Sequence, residues 1–303
     1  MSGKTLSSAI RLGLATALFT FFGVVSVFAA PITFNTALPV AEGEGIFRVQ
    51  ARLIRSTGDP GPMDRELTVG VFPFVLAYGV TEKLALFGIV PVLEKEMEIK
   101  AMSVTRSTRG IGDATLLARF TAWKMDRPGE TVRIAPFVGV EAPTGDNAEK
   151  DSLGTLPQPL QSGSGSWDYT IGAIFTWQTL KRQIDASASY KINTEANDFE
   201  FGNEARLEVS WQQRVWPKTL GSGVPAFTYA VLESNLIHNR ANRIGGMEDP
   251  DSGGTSWFLA PGIQYVTRRT VLEAAVQLPV IQDLNGNALE NDFTGILSFR
   301  INF

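Results

Sequence analysis

His238 is the single histidine of a 303-residue chain that has no cysteine. A zinc site would need carboxylates for its remaining ligands, which is uncommon. Thiol nucleophiles, disulfides and iron–sulfur clusters are excluded outright. A lipid hydrolase on a membrane barrel would need a Ser nucleophile beside a His base. Around His238 the chain reads Asn235-Leu236-Ile237-His238-Asn239-Arg240; Ser234 is the nearest upstream serine and none lies two residues on. Lipid hydrolysis is therefore the lesser alternative. Gly110-Ile111-Gly112 lacks the further glycine and the strand-to-helix setting of a phosphate loop. Asp283-Leu284-Asn285-Gly286-Asn287 offers oxygen ligands, but Glu290 comes too early for an EF-hand. No catalytic residue, metal ligand or cofactor is expected, and the chain is read as a non-enzyme.

The remaining chemistry lies in charged residues that alternate with apolar ones. Arg48, Arg52, Arg119, Arg133, Lys191, Arg206 and Arg300 carry positive charge on such alternating faces; Glu141, Asp185, Glu204, Glu208, Glu233 and Glu273 carry negative charge. These thirteen are the candidate lumen lining. They could be ion pairs that stiffen a narrow barrel, or a selectivity lining for a polar solute. Seven cations against six anions is nearly balanced, which argues against a strongly ion-selective pore, since single-sign rings do that work.

The elements that must position these residues are strands. In Phe47-Arg48-Val49-Gln50-Ala51-Arg52-Leu53 the apolar and polar residues fall on opposite faces, because successive side chains in a strand point to opposite sides. Leu272, Ala274, Val276 and Leu278 alternate with Glu273, Ala275 and Gln277 in the same way. The last segment places Phe293, Gly295, Leu297, Phe299, Ile301 and Phe303 on one face, with Ile296 among Thr294, Ser298, Arg300 and Asn302 on the other. Twelve strands are predicted, near 46–55, 65–78, 82–93, 112–123, 131–142, 167–179, 183–193, 202–215, 226–237, 255–267, 270–281 and 291–303. Their connections alternate short and long, and the long ones (56–64, 94–111, 143–166, 194–201, 238–254, 282–290) are rich in Gly, Asp, Asn, Ser and Pro.

Alternation alone does not separate a soluble sheet from a membrane barrel. In lipid a sheet must close on itself, because no water is there to pair its edges. Three features favour the all-β transmembrane antiparallel up-and-down barrel of about twelve strands. Charged residues recur on faces that could line a wet lumen. Tyr78, Trp123, Trp167, Tyr169, Trp211, Trp216, Trp257 and Tyr265 fall near strand ends, as aromatic girdles require. The chain closes on a strand ending in Phe303, similar to the signal read by the outer-membrane barrel assembly machinery. Lys4, Arg11, the apolar run Leu12 to Val27 and the site Val27-Phe28-Ala29 read as a signal peptide over 1–29. Its loss takes the formal charge from −4 to −6, because Lys4 and Arg11 leave with it. An acidic mature chain gives no support for nucleic-acid binding. Residues 30–44 are expected to be a short periplasmic segment, too short for a plug domain, followed by the barrel over 45–303 in the outer membrane of a Gram-negative bacterium. The expected partners are outer-membrane lipid, the assembly machinery acting on the C-terminal strand, and a small solute.

Several segments resemble a family of outer-membrane proteins labelled transporters and linked by name to the meta-pathway of phenol degradation. They are Tyr78-Gly79-Val80-Thr81-Glu82-Lys83-Leu84, Gly110-Ile111-Gly112-Asp113-Ala114, Glu141-Ala142-Pro143-Thr144-Gly145-Asp146, Gly163-Ser164-Gly165-Ser166-Trp167-Asp168-Tyr169, Pro261-Gly262-Ile263-Gln264-Tyr265 and Gln277-Leu278-Pro279-Val280. The resemblance implies a channel for small molecules, with aromatic or hydrophobic compounds as solutes. The alternative is a structural or partner-binding barrel with a closed lumen. The connection 143–166 is the longest, and long loops without periodicity are commonly functional or disordered. It is expected to constrict the extracellular mouth, with Asp146, Glu149 and Asp151 reaching Arg119 and Arg133.

Overall fold

The computed structural model describes residues 29–220 and 226–303. The expected signal peptide, apart from Ala29, lies outside the described residues. Twelve strands close into one antiparallel barrel. They are β1 (Gly45–Ser56), β2 (Arg65–Gly79), β3 (Leu84–Ile99), β4 in the segments Val104–Ile111, Ala114–Phe120 and Trp123–Arg127, β5 (Glu130–Ala142), β6 (Asp168–Thr179), β7 (Arg182–Ile192), β8 (Glu204–Trp216), β9 (Ala226–Asn239), β10 (Gly254–Thr267), β11 (Thr270–Leu284) and β12 (Phe293–Asn302). Each strand pairs with its sequence neighbours, and β1 pairs with β12 from Ile46↔Asn302 to Arg55↔Phe293 to close the ring.

The outer face is what the alternation demanded. Leu272, Val276 and Leu278 on β11 are exposed, while Glu273 and Ala275 between them are buried in the lumen. On β12, Leu297 and Phe299 point out and Thr294, Ile296, Ser298 and Arg300 point in. An apolar belt of this extent is stable only against lipid. Tyr78, Trp123, Trp216 and Tyr265 are exposed at the short-turn end, and Trp167, Tyr169 and Tyr190 at the long-loop end. Their rings bracket the belt where headgroups would lie.

One expected loop is a strand. Residues 94–111 do not form an irregular connection: β3 continues to Ile99, turns at Lys100–Ser103, and returns as the first segment of β4 with Val92↔Ile111 to Ile99↔Val104 in register. Glu94, Glu96 and Glu98 made this stretch look like a loop. Above the membrane neither face has to be apolar, so a charged hairpin can extend the ladder into water.

Closure depends on the last residue. Phe303 and Gly45 exchange two backbone hydrogen bonds, at 2.7 and 2.9 Å. A Cβ on residue 45 would lie 2.6 Å from the Phe303 ring, so a larger residue there would have to turn that ring aside. Deleting Phe303 is expected to lower the folded, heat-modifiable fraction recovered from membranes. Undiminished assembly would show that the terminal aromatic is dispensable.

Candidate functional site

Residues 29–41 lie inside the barrel. The expected short periplasmic segment is instead a peptide that rises from the short-turn end to about mid-height at Thr33–Asn35 and folds back down to β1. Its backbone is paired by inward-facing side chains. The Glu233 carboxylate accepts from the Ile32 amide (2.7 Å), the Thr33 amide (2.9 Å) and the Thr33 hydroxyl. Arg48 and Gln50 donate to the Ile32 carbonyl at 2.8 and 2.9 Å. Arg119 donates to the carbonyls of Thr36 and Leu38, and Gln264 to that of Ala30. The Thr176 hydroxyl accepts from the Ala37 amide at 2.8 Å, and Asp185 accepts from the Thr36 hydroxyl at 2.8 Å. A buried backbone requires such partners, and here the barrel wall supplies them.

Apolar seats complete the fit. Ile32, fully buried, packs on Val231, Ala275 and Ile296; Ala37 packs on Ala135 and Ile174; Val40 packs on Ala77, Ala85 and Phe87. Gly262 leaves room for Ile32, whose Cδ1 would stand 2.8 Å from a Cβ there. Gly79 lets the segment leave the lumen, since a Cβ would meet the Ala41 carbonyl oxygen at 2.0 Å.

Two cavities among the described residues share no lining residue. One, of about 610 Å³, opens among the long loops and is lined by Glu141, Asp168, Lys191, Glu204, Arg206 and Arg240 with several amides and glycines. Five of its six named charges are paired: Lys191 bridges Glu141 at 2.9 Å and Asp168 at 3.4 Å, and Arg206 holds Glu204 at 2.5 Å. The other, of about 600 Å³, lies between residues 29–45 and the wall of β1, β2 and β3. Both are of the size that holds small ligands. The loops around the outer mouth are pinned by bidentate ion pairs. Arg65 grips Asp59 and holds its carboxyl well below the usual carboxylate range; Arg106 does the same for Asp151.

The sequence of residues 61–280 matches the family described as "Putative MetA-pathway of phenol degradation". The chain belongs to this family. No curated protein matches it. Among solved structures, an outer membrane channel from Pseudomonas putida F1 superposes with a TM-score of 0.68 at 16% identity, over 88% of this chain and 98% of that one. A monoaromatic hydrocarbon channel gives 0.40 at 11% identity, over 87% and 89%.

In this member of the phenol-degradation family the thirteen candidate lumen residues fall into groups. Arg48, Arg119, Asp185, Glu233 and Glu273 surround the inserted peptide. Arg48 also bridges Glu273 at 2.7 Å. Glu141, Lys191, Glu204 and Arg206 sit at the outer cavity, with Glu208 just below, 4.0 Å from Arg206. Arg52 and Arg300 line the inner cavity. Arg133 stands at the short-turn rim, held by Asp126 at 2.6 Å, and lines neither cavity. Sequence reasoning missed Thr176, Gln212, Asn235 and Gln264, and the peptide itself. Two signals were available. Residues 30–41 contain no charge, and Val231 and Ile296 interrupt polar inward faces with apolar side chains.

The loop 143–166 does not reach Arg119 or Arg133. Asp151 pairs with Arg106, Glu149 accepts from Thr108 and Ser162, and Asp113 anchors Gly145 and Ser164. Arg119 lies one residue from the short-turn end of the middle segment of β4 and Arg133 near the start of β5, a barrel length away. The loop packs instead on the inner face of the β3–β4 extension, where Lys95 donates to the carbonyls of Pro159 and Gln161. Deleting residues 147–162 is expected to raise single-channel conductance once the inserted peptide is also removed. An unchanged conductance with a folded barrel would assign the loop a purely structural part.

Proposed function

We propose that this protein is a passive outer-membrane channel for small molecules in a Gram-negative bacterium, narrowed in its inner half by its own N-terminal segment. The observation that carries the reading is a pair of small-molecule-sized cavities, one among the long loops and one beside a peptide held by side-chain hydrogen bonds. A barrel built only as a structural post would fill its lumen with interlocked side chains. Here a separate stretch of backbone does the filling, and it enters from one end. The family description supports small aromatic or hydrophobic compounds as solutes. Among the described residues no Ser–His pair supports hydrolysis: the His238 Nδ1 contacts Thr255 Oγ1 at 2.9 Å. The test is planar-bilayer recording of the refolded full chain. Discrete current steps are expected. Silent bilayers containing demonstrably folded barrel would favour the closed structural alternative.

A further inference from the structure

We propose that the inner cavity binds small amphipathic carboxylates, with the apolar body on the β2–β3 wall and the carboxylate on the arginines of β1 and β12. The proposal rests on the channel reading for its place in transport, and it narrows the solute class.

The inward face of β2 presents Val71, Pro73, Val75 and Ala77, and that of β3 presents Phe87 and Ile89; all six line the cavity. Their rows are adjacent, with Val75 opposite Ile89 and Ala77 opposite Phe87. This is why both faces of these strands are apolar: one meets lipid and the other meets the cavity. Beside this wall runs a cationic row. Arg52 is the direct strand partner of Val71, and Arg48 of Val75. On the far side of β1, Arg300 is the direct partner of Arg48. Like charges opposed across a ladder are destabilising, and Glu273, 2.7 Å from Arg48, offsets this pair. Four arginines line the cavity, counting Arg119, against Glu44 as the single carboxylate. Thus the lumen charges, nearly balanced in sum, are segregated in space.

The cations are unevenly satisfied. Arg48 is neutralised by Glu273 and Arg119 is spent on two backbone carbonyls. Arg52 donates only to Gln50 at 3.1 Å and, at a long 3.4 Å, to the Thr33 carbonyl. It has no carboxylate within ion-pair distance among the described residues. A guanidinium in a narrow, partly apolar cavity binds a carboxylate more strongly than it would in water, because fewer waters screen the pair. A neutral hydrocarbon would use the wall but give Arg52 no carboxylate at ion-pair distance. A small inorganic anion would use Arg52 but leave the wall wet. A carboxylate on an aromatic ring or short alkyl chain uses both.

The test is calorimetric titration of the full chain in detergent with benzoate, octanoate and the uncharged benzamide. Benzoate and octanoate are expected to bind at least tenfold more tightly than benzamide. Arg52→Gln should abolish that difference. Val75→Ser should weaken benzoate several-fold and serves if the arginine variant does not fold. Equal affinities for benzoate and benzamide, or no binding of benzoate, would overturn the site. Bilayer currents from the same preparation separate the two readings. Currents without carboxylate preference sink the site and leave the channel; carboxylate binding without currents sinks the channel and leaves the site.

Discussion

Removing residues 32–40 raises the single-channel conductance several-fold. Twelve strands about 4.8 Å apart, tilted by about 40°, close into a ring with a backbone diameter of about 24 Å. Inward side chains occupy part of that width on every side. What is left accommodates one folded-back peptide, and residues 29–41 are that peptide. Its deletion leaves the strand ladder untouched, because the backbone pairing of the N-terminal segment with β2, at Glu42↔Gly79, lies outside residues 32–40. Glu233, Asp185 and Arg119, buried now, would face water and be solvated there. The expected signature is larger steps in planar bilayers from a barrel that is still heat-modifiable. The unfolding temperature should fall, since Ile32, Ala37 and Val40 lose their seats. Steps of unchanged size from a folded variant would show that the peptide is not the main resistance.

The barrel was legible in the sequence for a physical reason. Lipid on one side and polar lumen on the other enforce a period of two, and β1, β11 and β12 follow it apart from Ile296 and the Val280-Ile281 step. Where that constraint lapses, legibility ended. The hairpin of β3 and β4 beyond residue 93 stands in water, so its strand character left no apolar face to read. The inserted peptide has no regular period, because its hydrogen-bond partners are individual side chains from six different strands. Beside its lack of charge, the traces it left were in its wall, in Ile296 and Val231. The charged lining was readable as a set of residues but not as an arrangement. Arg52 and Arg119 became distinguishable from Arg48 only when Glu273 was seen beside Arg48 alone. The misplaced reach of the 143–166 loop had another cause. Up-and-down topology puts Arg119 and Arg133 at the short-turn end, opposite to any long loop.

Glu233→Ala frees the inserted peptide, and this is the largest single-residue effect expected. The carboxylate is almost completely buried and accepts from two backbone amides, from the Thr33 hydroxyl and, at 3.2 Å, from Ser210. Hydrogen bonds to a charged acceptor each contribute roughly 1.5–3 kcal/mol, and an orphaned buried donor costs about 1–3 kcal/mol. Alanine removes the acceptor and leaves the Ile32 and Thr33 amides unpaired. A loss of about 3 kcal/mol shifts the seated-to-released ratio more than a hundredfold, at about 1.4 kcal/mol per factor of ten. Because the chain has no cysteine, an Ala37→Cys substitution supplies one unique reporter. Ala37 is fully buried against Ala135 and Ile174, so its thiol should react slowly with a water-soluble maleimide while the peptide is seated. In the Glu233→Ala background labelling should accelerate by two orders of magnitude. Glu233→Gln should be intermediate, since the amide keeps one acceptor oxygen but turns a donor toward a donor. Equal labelling rates in all three backgrounds would mean that the peptide is held as a unit by its apolar seats and by Arg119 and Asp185, with Glu233 no latch at all.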